Sequence, residues 1–305
     1  MLEYYLKELD YLNKPDFLNK YLKVPSLIRL KNISYFCGMD YASKDIYDFK
    51  EKITRYDHSL TVALLTWRLT HDKIMTLAGL FHDVGTPCFS HVIDYMNKDY
   101  LNQESTEEYT EKILLQDELL NRYFKEDNID INDIVNFKDY SIVDNKRPKV
   151  CADRLDGVIL TGSFWTKEIS KDDISLILDD LTVYQNEEHE PEIGFKTKKI
   201  AEKVLKKSEK IDIYCHSKED NYMMELLAKI TKYGIDNGYF TYKDLYIYNE
   251  DDLYSLLKSK SDKTLKEYLR IFETVKKENI PDIQMPNIKI RDLNPLVNGE
   301  RLGEK

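Results

Sequence analysis

Three of the six histidines, His58, His82 and His91, fall within the densest apolar, helical stretch of the chain. His82 is followed at once by Asp83 and then by Gly85, where a helix is expected to stop and side chains can project into a cleft. His58 lies on the preceding helical stretch with Arg55 three residues earlier, so both point from one face. Asp153 opens a later helix. Imidazole nitrogens and carboxylate oxygens together suit a borderline or hard divalent ion such as Fe, Mn, Ni, Zn or Mg. An incomplete protein shell leaves room for water or a substrate oxygen, and a metal so held polarises a phosphoryl group and lowers the pKa of bound water. His91 and Asp94 are three apart on one helix face, so both can reach one cleft and are available to move a proton.

The elements that must position these groups are helices. Leu60, Leu64, Leu65, Trp67 and Leu69 predict one buried helix, and the apolar stretch from Ile74 to Phe81 predicts another that stops at Gly85. Pro87 is expected to restart a helix through Phe89, Val92, Ile93 and Met96. Ser105 with Glu108 fits a capping box, opening a helix toward Leu115, and a further helix runs from about Ala152 to Leu160. The acidic segment TVYQNEEHEPEIGF, with Pro191 and Gly194, marks a lobe boundary. Beyond it, Met223, Leu226, Leu227, Ile230 and Tyr233 repeat at helical spacing, as do Leu265, Tyr268, Leu269 and Phe272, while Ile288 and Ile290 alternate like a strand.

Composition narrows the class. At ~150 residues per domain, 305 residues make about two domains, or one large domain with an appended lobe. Gly (10) and Pro (8) together are about 6% of the chain, half of the roughly 12% average. Such a shortage of turn formers argues against an all-β fold. No run approaches ~18 apolar residues, so no membrane partner is expected. The net charge of −10 disfavours a broad face for nucleic acid but leaves room for a small basic pocket. The acidic start of the sequence does not read as a secretory signal, and the four cysteines, Cys37, Cys88, Cys151 and Cys215, form no CxxC pair. A cytoplasmic setting is the expectation.

Together, RYDHS (Arg55 to Ser59), FHDVGTPCFSHVID (Phe81 to Asp94) and NKRPKVCADRLDG (Asn145 to Gly157) resemble the H…HD…D signature of the HD-domain metal-dependent phosphohydrolases. The likeness is greatest to the deoxynucleoside triphosphate triphosphohydrolase branch of the sterile-alpha-motif/HD type. RLKNISYFCGMDY (Arg29 to Tyr41) also resembles that branch, and IKIRDLNPLVNGERL near the C-terminus does so weakly. The resemblance implies a mainly α fold, an HD-domain helical bundle over residues 1–180, with a smaller mixed α/β lobe over 181–305. It makes His58, His82, Asp83 and Asp153 ligands of a divalent metal. It sets Arg55 and Arg154 against substrate phosphate, where an always-charged planar fork suits the task, and puts His91 and Asp94 beside the scissile phosphate. Members of the branch commonly assemble into dimers or higher forms, so a homo-oligomer is an expected partner.

Departures from the branch fall on the substrate side. Thr86 stands where HDxGH would have a second histidine. Gln103, before Glu104, stands where an HE pair would aid proton transfer, and Gln cannot act as an acid or base. Gly157 and Thr161, four and eight residues after Asp153, stand where Tyr and Asp hold the sugar, removing a stacking surface and a carboxylate. The expected function is therefore a metal-dependent phosphohydrolase acting on a phosphoester or phosphoanhydride of a small phosphorylated molecule, a nucleotide foremost. The alternative is a catalytically weak HD-fold nucleotide sensor or scaffold. His71-Asp72 reads as a helix start, GVILTGS (Gly157 to Ser163) as the end of a helix without the P-loop Lys, and His189 and His216 as exposed loop residues.

Overall fold

The computed structural model describes residues 1–101, 107, 109–283 and 286–303. Helices dominate it, with one small sheet formed late in the chain. Among the described residues, no helix is long and apolar enough to cross a membrane. The centre is the helix Arg55–Thr70 packed on the helix Lys73–Phe81. Thr54 and Asp57 form a reciprocal capping box that fixes where the first begins, and Asp72 caps the second by accepting from the Met75 amide at 2.8 Å. A cap of this kind is worth about 1 kcal/mol, and here it also fixes which residues face the core. From Thr76 to Phe81 every side chain is buried. The His71-Asp72 pair thus serves the connection between two helices, as its position in the sequence implied.

Gly85 does not end a helix in the left-handed conformation: the helix stops at Phe81, and residues 82–85 continue as a turn. Nor does Pro87 open the next helix. Phe89 and Ser90 have φ of 65° and 47°, and helix begins only at Val92, running to Asn97. That detour is held from outside: the Cys88 amide donates to the Leu245 carbonyl at 2.7 Å, and the Phe89 amide to Glu250 Oε1 at 2.8 Å. Ser105 and Glu108 lie outside the described residues, and the following helix is Thr110–Gln116. The helix Ala152–Phe164 is anchored at its start by amide bonds from Ala152 and Asp153 to the carbonyls of Ile142 and Val143.

The acidic segment read as a boundary is a β-hairpin, β1 (Leu181–Gln185) against β2 (Pro191–Phe195), whose second strand is buried from Glu192 to Phe195. His189 is exposed in its turn; His216 instead caps the helix Lys198–Cys215 half-buried, its Nδ1 2.9 Å from the Asp212 carbonyl. The sheet is completed by β3 (Leu296–Val297), parallel to β2, and β4 (Glu300–Arg301), antiparallel to β3. Gly194 is required there, because a Cβ would meet the Leu296 carbonyl oxygen at 2.8 Å. Ile288 and Ile290 are not in a strand: one is buried, the other exposed, on an extended segment. The helix Lys218–Asp236 packs on Val92–Asn97 and on Lys263–Thr274. One cluster of buried apolar side chains runs from Tyr5 to Leu293.

The last strand is fastened by charge. Arg301 makes two bonds to fully buried Glu192, 2.6 Å and 2.7 Å, and Glu192 also accepts the Val150 amide at 3.1 Å. Arg301→Met leaves that carboxylate buried and unpaired. The expected loss is about 3–5 kcal/mol in denaturant unfolding, with part recovered when Glu192→Gln is added; equal stability of Arg301→Met and the parent would refute the role of the pair.

Candidate metal centre

His58 sits in the first turn and a half of its helix, and its Nδ1 lies 2.7 Å from Asp156 Oδ2. Asp156 is fully buried and also accepts from the Tyr5 hydroxyl at 2.6 Å and the Thr61 hydroxyl at 2.9 Å. A carboxylate holding three donors places the His58 proton on Nδ1 and leaves the Nε2 lone pair to the cavity. His82, at the end of the Lys73–Phe81 helix, donates from Nδ1 to the Gly79 carbonyl at 2.8 Å. A carbonyl can only accept, so this ring too presents a bare Nε2, which is buried and has no hydrogen-bond partner among the described residues.

Both nitrogens face carboxylates. His58 Nε2 is 3.0 Å from Asp153 Oδ1 and 3.9 Å from Asp83 Oδ2, and His82 Nε2 is 3.5 Å from Asp153 Oδ1 and 3.8 Å from Asp83 Oδ1. His58, His82 and Asp83 each offer a ligand atom within 4.8 Å of the others. Lone pairs from four residues meeting in one place demand positive charge. Burial opposes charge on His58, yet Asp153 and Asp156 push its pKa up to about 10; His82 is raised against burial by Asp83 and Asp153. Burial likewise opposes charge on Asp83 and Asp153, but Arg55 and the histidines hold Asp83, and the histidines hold Asp153, below the usual carboxylate range. Two nitrogens and two carboxylates, with a buried unpartnered Nε2, fit a divalent cation.

Around this centre, Arg55 donates from Nη1 to Asp83 Oδ2 at 2.8 Å and from Nε to the Ser90 hydroxyl at 3.2 Å, with its guanidinium over the Tyr35 ring. Arg29 braces the turn behind Asp83, Nη2 donating to the carbonyls of Val84 (2.8 Å) and Thr86 (2.7 Å). The Thr86 hydroxyl is buried without a partner among the described residues and lies outside the cavity lining. His91 Nδ1 lies 2.8 Å from the fully buried Asp94 carboxylate, and burial holds the ring's pKa below its ordinary value. Arg154 lines the cavity, but its fork bonds the carbonyls of Asn145 (2.6 Å) and Lys149. Gly157 and Thr161 border Tyr35: a Cβ at 157 would sit 3.5 Å from the Tyr35 hydroxyl, so an aromatic ring is supplied from residue 35. Gln103 and Glu104 lie outside the described residues.

A cavity of about 600 Å³ opens from the centre. Its wall includes Arg147, Arg154, Lys289 and Arg291. Burial and the charges of Arg291 and Arg154 push Arg147 down to about 10, and burial with Arg147 and Arg291 lowers Lys289. The Arg291 guanidinium makes no hydrogen bond or ion pair with any described residue; only its backbone amide is used, by Asp212 at 3.0 Å. Sequence reasoning missed Asp156 and Arg291. Asp156 carried a signal, since it lies one helical turn from Asp153; Arg291 carried none beyond its place in IKIRDLNPLVNGERL.

Residues 55–158 match the family model described as HD domain. The chain carries an HD domain. All four candidate ligands, Arg55, His91, Asp94 and Asp156 fall within the HD domain, whereas Arg291 falls outside it. A curated relative, Uncharacterized protein YdhJ of Bacillus subtilis (strain 168), is 31% identical over 147 residues, which are 46% of this chain and 41% of that protein. A solved structure of a hypothetical protein from Aquifex aeolicus is similar in fold, with a TM-score of 0.60 and 18% identity over 85% of this chain and 71% of that one.

Because cation and proton compete for the same lone pairs, metal binding should eject protons. With the His58 pKa near 10 and His82 raised, apparent affinity for Mn²⁺ should climb with pH from 6 toward 9, about tenfold per unit for each proton displaced. Calorimetry in buffers of different ionisation enthalpy reads this directly, and zero proton release would contradict the arrangement. Asp156→Asn should weaken the metal by about 10–100-fold without removing a ligand; unchanged affinity would show that the His58 tautomer is fixed otherwise.

Proposed function

We propose that this protein is a metal-dependent phosphohydrolase acting on a phosphoester or phosphoanhydride of a small phosphorylated molecule, with nucleotides foremost. The observation that carries the reading is the convergence of two bare imidazole Nε2 atoms and two carboxylates in the lining of a cavity whose wall also holds arginine and lysine. HD domains are generally metal-dependent hydrolases, which supports it. His58, His82, Asp83 and Asp153 would hold the ion, which when bound supplies Lewis-acid polarisation of a phosphoryl oxygen and a water of lowered pKa.

The chain's own residues do the remainder. Arg55 is kept charged by Asp83, and its remaining N–H donors are placed to take a phosphoryl oxygen beside the ligands. Arg291 and Arg147 neutralise further phosphate charge, which in a protein of net charge −10 confines attraction for anions to this cavity. His91 orients its Nδ1 proton to Asp94 and offers Nε2 to the cavity; below its ordinary pKa of about 6.5 it is neutral at pH 7 and accepts a proton. Aromatic Tyr35 covers His58 and Arg55, keeping water from their charged edges.

Metal-reconstituted protein screened against nucleotides and aryl phosphates should show multiple turnovers that His58→Ala abolishes; saturable nucleotide binding with no turnover would instead establish a sensor. Activity should fall as pH drops through the His91 pKa, below about 6.5, because protonation removes the acceptor. His91→Gln should lower kcat by about 10²–10⁴-fold and flatten that acidic limb while metal affinity stays the same. An unaltered pH profile would reject His91 as the proton acceptor.

A further inference from the structure

Away from the metal centre the same cavity is lined by Asp220, a carboxylate that the phosphoryl chemistry does not use. Asp220 stands in the first turn of the helix Lys218–Asp236. An acidic side chain there ordinarily serves the helix terminus, but Ser217 already caps it by accepting from the Asp220 amide at 3.2 Å. The Asp220 side chain turns to the cavity instead. Its Oδ1 accepts from the Tyr47 hydroxyl at 2.5 Å, and its Oδ2 has no partner among the described residues. Among the described residues no cation lies within ion-pair distance of it; Arg291, which lines the same cavity, is the charge that acts on it, against a burial effect that pushes its pKa up to about 7.

The surroundings are aromatic and apolar. Tyr47 stacks on Phe49 at a centroid distance of 5.5 Å and lies 5.7 Å from Trp165, and Cys215 and Met224 complete that stretch of wall. A desolvated acceptor with one open oxygen, set among flat rings, is suited to a planar ring that brings its own N–H donors. The volume of about 600 Å³ accommodates such a ring together with phosphates at the basic wall.

We propose that Asp220, oriented by Tyr47, reads the ring end of the ligand by accepting hydrogen bonds from its N–H edge, and so favours guanine among the nucleobases. The reasoning rests on the nucleotide reading of the cavity. Guanine offers adjacent imino and amino donors, one for the open Oδ2 and one for the lone pair of Oδ1 that Tyr47 leaves free. Hypoxanthine lacks the amino group, and uracil flanks its single N–H with two carbonyls that repel the acid.

The test is the dissociation constant of the full-length, Mn²⁺-loaded protein for guanosine, inosine and uridine triphosphates, measured by calorimetry. The expected order is guanosine tightest, at least tenfold over inosine, with uridine weakest. Asp220→Asn, which replaces one acceptor oxygen with a donor, should reduce the guanosine-to-inosine ratio to about one, and Tyr47→Phe should reduce it in part. Metal stoichiometry and circular dichroism of both variants confirm that the fold is kept. Equal affinities in the parent, or a preference that Asp220→Asn leaves intact, overturn the inference and leave the nucleotide reading standing. Failure of all three nucleotides to bind, with turnover of an aryl phosphate retained, overturns that reading and the inference together.

Discussion

Two imidazoles whose Nδ1 protons are committed elsewhere set the terms for the rest of this structure. The Gly79 carbonyl takes the proton of His82, and Asp156 takes that of His58. Neither ring can then use its Nε2 as a donor without becoming a cation, and Asp83 and Asp153 face both of them. Buried in this way, lone pair against lone pair is tolerable only with a proton or metal between. The packing behind the site serves the same constraint: Tyr5 and Thr61 hold Asp156, and Arg29 holds the turn that carries Asp83.

Charge is separated within the chain. Acidic side chains outnumber basic ones by ten, yet Arg147, Arg154, Lys289 and Arg291 line one wall, where burial together with neighbouring positive charge depresses the pKa values of Arg147 and Lys289. Like charges are kept together at a cost that an anion in the cavity would offset. Arg154 has part of its donor capacity engaged by loop carbonyls, whereas the Arg291 guanidinium has no hydrogen-bond or ion-pair partner among the described residues. The cavity-lining arginine farthest along the chain is therefore the one with most donor capacity left open to the cavity. Its place is secured by the C-terminal segment, which the Arg301–Glu192 pair and the parallel pairing of β3 with β2 fasten to the hairpin.

Later residues also shape the HD domain itself. Glu250 accepts the amides of Ser34 and Phe89, and Leu245 accepts that of Cys88, so the left-handed step at Phe89 and Ser90 is imposed by groups some 160 residues away. That step delays the helix to Val92 and sets His91 at its start, with Asp94 one turn inside. The placement of the His91–Asp94 pair thus depends on packing that no local propensity describes.

The sequence by itself determined the helical class and the residues that gather at the centre. Apolar spacing through Leu60–Leu65 and Ile74–Phe81, with caps at Thr54 and Asp72, is local chemistry, and local chemistry decides where a helix begins and which face it buries. His58, His82, Asp83 and Asp153 were legible as a set through the likeness of their flanking text to the HD signature, which helix spacing alone would not have singled out. Only the tertiary structure decided that 181–195 is a hairpin, that Pro87 opens no helix, and that Arg291 and Asp220 share the cavity. In each case the deciding partner is remote: Arg301 for Glu192, Leu245 and Glu250 for residues 88 and 89, Tyr47 for Asp220. Burial of a charge or a bend of the backbone is favourable only when its partner is present, and a partner a hundred residues distant leaves no mark on the spacing of its neighbours.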